Sequence, residues 1–261
     1  MDLGIKGRVA LVTASSRGLG RACAASLARE GAKIAICARE KDRLTQAENE
    51  LKAAGATVYS TVADLNKLSD IDRLVEGTRA ALGPIDILVA NTGGPPIGYF
   101  LSVSSQMWED GFKLLVEGVA HLVRLVLPGM KERKWGRIVA IESTSVKQPI
   151  DGLVLSNALR MAVVGMFKSI ALEVAGCGVR VNVVCPGSMD TDAIQRVLQI
   201  GAQRDGVSIE EARARLEKGI PAGRMGKPEE LADVVTFLAS ERAGFVTGVA
   251  LPVDGGMIRG H

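Results

Sequence analysis

The short apolar run Val9–Val12 leads directly into Thr13-Ala14-Ser15-Ser16-Arg17-Gly18-Leu19-Gly20. That turn opens a helical pattern with Leu19, Cys23, Ala24 and Leu27 on one face. A strand, a tight glycine-bearing turn and a helix start make the first half of a βαβ nucleotide-binding unit. Glycine is needed where a side chain would hold the backbone away from a pyrophosphate. The helix N-terminus then turns free N–H groups and a positive dipole end toward that anion. Turn and packing glycines can look the same, so the rest of the chain has to carry the argument.

Apolar runs and amphipathic segments alternate along the 261 residues. Strands are expected at residues 9–12, 33–37, 57–62, 85–90, 136–141, 179–184 and 250–253, and helices at 20–30, 41–54, 68–81, 106–134, 156–174 and 228–239. With short connections and right-handed crossovers, this order predicts a Rossmann-like, doubly wound parallel sheet of seven strands flanked by helices. No repeat, low-complexity tract or linker divides the chain, which reads as one α/β domain over 1–261. Two segments break the rhythm. Residues 92–98 form a Gly/Pro loop after the fourth strand, and 191–225 is a helical insertion of the length expected for a lid or substrate loop.

A core built from Ala, Val, Leu and Ile, with 47% hydrophobic and 3% aromatic residues, suits a sheet covered on both faces. The net charge of +3 is spread without a basic block, which argues against nucleic-acid and anionic-membrane partners. Cys23, Cys37, Cys177 and Cys185 sit in apolar runs without CxxC pairing, and the N-terminus lacks signal-peptide order. A cytoplasmic protein is expected. No His/Cys/carboxylate cluster has metal-ligand spacing, so no metal is expected. His121 reads as a satisfied packing residue, His261 as the chain end, and Arg213, Arg215 and Glu217 as a solvated helix face.

Ligands of such sheets bind beyond the carboxyl ends of the strands. There the chain resembles the short-chain dehydrogenase/reductase family over nearly its full length. Residues 13–20 are similar to its TGxxxGxG turn, with Ala14 in place of the first glycine. Asp64-Leu65 resembles its adenine-contacting dipeptide, and Ala90-Asn91-Thr92-Gly93 stands where the family has NNAG. Pro186-Gly187 with Thr191 resembles PGxxxT, and Val246-Thr247-Gly248 and Asp254-Gly255-Gly256 resemble the usual ending.

The resemblance implies that Ser15, Ser16, Arg17, Gly18, Leu19 and Gly20 contact the pyrophosphate side of a dinucleotide, and Asp64 and Leu65 the adenine. It further implies that Asn91 and Gly93 touch the adenosine-side ribose and backbone, and Pro186, Gly187 and Thr191 the carboxamide. An acidic residue after the second strand would repel a 2′-phosphate. Here that position is Ala38, followed by Arg39, with Arg17 in the turn. Two guanidinium groups favour NADP(H) over NAD(H) unless they face solvent or pair with Glu40 or Asp42.

The family's hydride-transfer site uses a serine, a tyrosine, a lysine four residues later and an asparagine. By alignment on residues 136–143, these positions hold Ser143, Ser156, Arg160 and Leu115, so only the serine remains. A serine hydroxyl is several units less acidic than a tyrosine, whose pKa lies near about 10. Arg160 keeps a cation on the face of Ser156 and can stabilise an oxyanion, but it cannot relay a proton. Proton sources considered are Tyr99 and a water held by Ser143, Ser156 and Arg160. Tyr59 reads as packing. Glu142 is expected to point away from Ser143 and to form an ion pair.

The reading is an oxidoreductase acting on a small carbonyl or alcohol substrate. The alternatives are a catalytically silent NADP(H)-binding sensor or scaffold and a subunit supporting an active partner. The family's habit implies a homo-oligomer, dimer or tetramer, for which the apolar density of 114–127 and 161–171 is suited.

Overall fold

The computed structural model describes residues 1–260; His261 lies outside the described residues. The apolar runs form β1 (Val9–Val12), β2 (Lys33–Ala38), β3 (Val58–Val62), β4 (Ile87–Asn91), β5 (Gly136–Ile141), β6 (Val179–Pro186) and β7 (Ala250–Val253). Between them lie α1 (Gly18–Arg29), α2 (Lys41–Ala53), α3 (Leu68–Leu82), α4 (Ser105–Phe112), α5 (Gly118–Glu132), α6 (Val154–Val174), α7 (Asp192–Asp205), α8 (Ile209–Lys218) and α9 (Pro228–Leu238). All pairings are parallel, in the order β3-β2-β1-β4-β5-β6-β7. The order reverses between β1 and β4, which opens a crevice at their carboxyl ends.

β1 and β5 are buried at every position because helices cover both faces of the sheet. Successive residues serve opposite layers. Ala10 and Val12 meet Cys23 and Leu27 of α1 and Leu231 and Val235 of α9, while α2 adds Leu44 and Leu51 to that layer. Leu11, Leu88 and Ile138 face Ile71 and Leu74 of α3, Leu122 and Val126 of α5, and Val163 and Phe167 of α6.

The helix expected over 106–134 is interrupted. A π turn at Lys113–Glu117 separates α4 from α5. An added residue in one turn re-aims the apolar positions on either side of it. Leu115 thereby packs with Leu155 and Leu159, while α5 keeps its own stripe on the sheet. The 191–225 segment contains α7 and α8, and Leu198, Ile220 and Met225 form a small core of their own with Ile194 and Met257. No helix among the described residues is long and apolar enough to cross a membrane.

Candidate functional site

The glycine turn is held in shape from β4. Thr13 Oγ1 donates to the Asn91 carbonyl (2.7 Å) and accepts from the Asn91 N–H (2.9 Å), while Asn91 Nδ2 donates to the Ala14 carbonyl (3.1 Å). Ala14 has φ +46° and Gly18 φ +56°, so the residue in the first glycine's place adopts the left-handed backbone with a Cβ. At Gly20 any Cβ would come within 2.6 Å of the Ala14 carbonyl oxygen. That glycine lets α1 pass close beneath the turn.

Above the turn lies a cleft of about 370 Å³. It is lined by Ser16, Arg17, Gly18 and Leu19, by Ala38 and Arg39 after β2, and by Asp64 and Leu65 after β3. Asn91 and Gly93 after β4 and Thr191 before α7 complete the expected set. Ser15 departs from the expectation. It is fully buried, its hydroxyl donates to the Val12 carbonyl (2.7 Å), and its N–H donates to the Cys37 carbonyl (3.0 Å). Gly20 lies beneath the turn rather than in the cleft wall. Pro186 and Gly187 also stand outside that wall, because β6 continues through Pro186 and the Gly187 N–H donates to the Val253 carbonyl (3.0 Å).

The cleft also holds residues that the sequence reading missed: Thr92, Leu114, Asp192, Ala193 and Arg196. Thr92 was legible as the residue between Asn91 and Gly93. The α7 residues reach the cleft only through the packing of the insertion. The Thr92 Oγ1 is buried without a hydrogen-bond partner among the described residues. Glu40 pairs with Arg43 (3.0 Å), not with Arg39, and Arg39 has no carboxylate partner among the described residues. Arg17 Nη1 lies 3.7 Å from Asp192 Oδ2.

At the end of β5 and the start of α6, Ser156 and Arg160 meet Glu142, and Ser143 joins them only through Ser145. The Ser145 N–H donates to Ser143 Oγ (3.0 Å), and the Ser145 and Ser156 hydroxyls share a hydrogen bond (3.3 Å). Arg160 donates from Nε to Ser156 Oγ (3.2 Å), from Nη1 to Glu142 Oε2 (2.9 Å) and from Nη2 to the Gly93 carbonyl (3.4 Å). The Arg160 and Glu142 side chains are 9% and 2% exposed. The ion pair expected of Glu142 therefore forms, but with Arg160. The Glu142 N–H still donates to the Val184 carbonyl (2.9 Å) and Ser143 keeps an extended backbone, so the two neighbours alternate: Glu142 turns to Arg160 while Ser143 Oγ accepts from the Ser145 N–H. Burial pushes the Glu142 carboxyl up to about 7, against the opposing pull of the Arg160 guanidinium.

Leu115 contributes packing and no polar group to the π turn. Tyr99 points elsewhere. Its hydroxyl donates to Asp151 Oδ2 (2.7 Å), and this bond raises the phenol's pKa, which argues against a proton donor. Tyr59 packs against the α3/α5 side of the core. His121 Nε2 lies 2.7 Å from Asp72 Oδ1, and Arg213 bridges Asp190 and Glu217 rather than standing free on its helix. Among the described residues no group of His, Cys, Asp and Glu side chains has the arrangement to hold a metal ion.

A family model described as enoyl-(acyl carrier protein) reductase matches residues 13–258. The rabbit (Oryctolagus cuniculus) protein "Dehydrogenase/reductase SDR family member 4" is 36% identical over 250 residues, covering 95% of this chain and 93% of its own. L-sorbose reductase from Gluconobacter frateurii, solved with NADPH and L-sorbose, superposes with a TM-score of 0.96 at 34% identity over 100% of both chains. A short chain oxidoreductase from Pseudomonas aeruginosa PAO1, solved with NADPH and described as containing an atypical catalytic center, matches with a TM-score of 0.90. It is 32% identical over 99% of each chain. With a family model matching residues 13–258, a relative 36% identical over 95% of the chain and a parallel seven-stranded sheet that superposes on solved members, the chain belongs to the short-chain dehydrogenase/reductase family of oxidoreductases.

Proposed function

We propose that the protein is an NADP(H)-dependent oxidoreductase that interconverts a carbonyl and an alcohol, with a proton path rebuilt around Arg160. The observation that carries this reading is the continuity of the two halves of the site. Gly93 lines the cleft, and its carbonyl accepts from Arg160 (3.4 Å). The cleft fits a dinucleotide phosphate on two counts. Thr92 Oγ1 is a buried hydroxyl left without a partner, and Arg39 has no carboxylate partner among the described residues. Arg17 and Arg39 would hold the 2′-phosphate, Asp64 and Leu65 the adenine, and Ser16, Gly18 and Leu19 the pyrophosphate.

When bound, the nicotinamide supplies or accepts a hydride. The chain does the rest. Glu142 fixes the Arg160 guanidinium, which presents Nε to Ser156 and stabilises negative charge on the substrate oxygen. Ser143 and Ser156 orient the carbonyl, and a water held between these hydroxyls and Arg160 delivers the proton. The 191–225 insertion covers the substrate side. Half-exposed Phe112 and Met161 support a homo-oligomer, and four free cysteines support a cytoplasmic setting.

Fluorescence titration with NADPH and NADH, followed by NADPH oxidation against ketoacyl thioesters, ketoses and simple ketones, tests the proposal. Tighter NADPH binding and turnover of at least one class are expected. Tight binding without turnover of any would favour a silent cofactor-binding protein.

A further inference from the structure

We infer that Asp192, the first residue of α7, tempers the preference for a 2′-phosphorylated nucleotide by holding Arg17 until the phosphate replaces it. The inference rests on the NADP(H) reading above. Arg17 comes from the glycine turn and Asp192 from the insertion, and both line the same cleft. Their charged atoms stand 3.7 Å apart, with the side chains 39% and 72% exposed. An open pair of that length is weak and exchangeable. A phosphate dianion brings more charge and three acceptor oxygens, and so displaces a carboxylate from a guanidinium. A ribose bearing only hydroxyls does not, and Arg17 stays with Asp192.

The displaced carboxylate has a partner waiting. Arg196 lies one turn along α7 and lines the cleft. Its Nε donates to the Asp192 backbone carbonyl (3.3 Å), and its two Nη groups have no partner among the described residues. Asp at i and Arg at i+4 is a favourable pairing on a helix. Exchange therefore passes Arg17 to the phosphate and Asp192 to Arg196, with no charge left unpaired. Arg39, which has no carboxylate to release, holds the phosphate in either state.

Binding of adenosine 2′,5′-diphosphate and adenosine 5′-diphosphate to the full chain isolates this step, since the two carry the same number of phosphates and differ only in position. The wild-type protein should prefer the 2′,5′ isomer. Asp192→Asn should tighten that isomer by about two- to fivefold while the 5′ isomer changes less, and the gain should vanish in the Arg17→Ala background. An unchanged affinity in Asp192→Asn, or a gain that survives without Arg17, would overturn the inference while leaving the NADP(H) reading in place. Equal binding of both isomers by the wild-type protein would overturn that reading and the inference with it. Asp192 is exposed, and unchanged thermal unfolding of the variant verifies that a shift in affinity is not a folding defect.

Discussion

Two opposing effects meet at Glu142: burial favours its neutral form, the Arg160 guanidinium favours the carboxylate, and burial prevails. Below about 7 the carboxyl takes up a proton and Arg160 loses its counter-ion, so more of its positive charge acts on the substrate oxygen. Carbonyl reduction should therefore accelerate as pH falls through about 7, and Glu142→Gln should flatten that profile. A profile unaltered by the substitution would detach Glu142 from the reaction. Stability follows from the same shift. The carboxyl's pKa rises from an ordinary 4.5 in the unfolded chain to about 7 in the folded one, so the folded state holds the proton more tightly. This contribution is complete below the unfolded value and is lost as pH rises through the folded one. Denaturant titrations between pH 4 and 8 should show the stability of the wild-type protein falling relative to Glu142→Gln across that window. Ala14 offers an independent test. Its φ of +46° carries a Cβ penalty that glycine lacks, so Ala14→Gly should stabilise by about 1 kcal/mol, read as a rise in Tm of about 2–3 °C. A fall in Tm would mean that the turn does not strain its alanine.

At the scale of elements, the strand–turn–helix rhythm was legible because buried parallel strands read as continuous apolar runs and the glycine turn marks its own position. The division of the expected 106–134 helix was not. Its apolar pattern runs on through Lys113–Glu117 without a glycine or proline there, so nothing local marks the π turn, which is bordered by contacts distant in sequence. Gly118 shows the tightest of these: a Cβ would approach the Leu65 carbonyl oxygen within 2.5 Å, on the wall expected to hold adenine. Gly118→Ala should push α5 from that wall, lowering stability by about 1–3 kcal/mol in urea unfolding and weakening nucleotide binding in the same preparation. Normal affinity with reduced stability would uncouple the helix from the cleft. Asp192 and Arg196 escaped the sequence reading for a similar reason. An insertion with its own helices carries no local sign of which face it turns to the sheet, and the small core of Leu198, Ile220 and Met225 determines that. Ser15 was misplaced because a hydroxyl in a turn can face ligand or backbone, and here the Val12 carbonyl takes it.

Across the whole molecule, the reversal of strand order between β1 and β4 places the cleft, and α6 brings Ser156 and Arg160 beside it. The resemblance to the family put Ser156 and Arg160 where a tyrosine and a lysine are expected, and that much came from the sequence. The Ser156–Arg160 pairing, one turn along α6, was legible as well, but what joins Arg160 to Glu142 and Gly93 was not, because those bonds span helix, strand end and loop. The proposed function requires that this junction move a hydride and a proton. The most direct measurement uses NADPH deuterated at the transferring position of the nicotinamide, with mass analysis of the alcohol formed from an accepted carbonyl. Deuterium is expected on the carbinol carbon with the wild-type protein, and transfer at least about tenfold slower with Ser156→Ala. Saturated NADPH binding with no deuterium in any product, or transfer at an undiminished rate in Ser156→Ala, would contradict the proposed function.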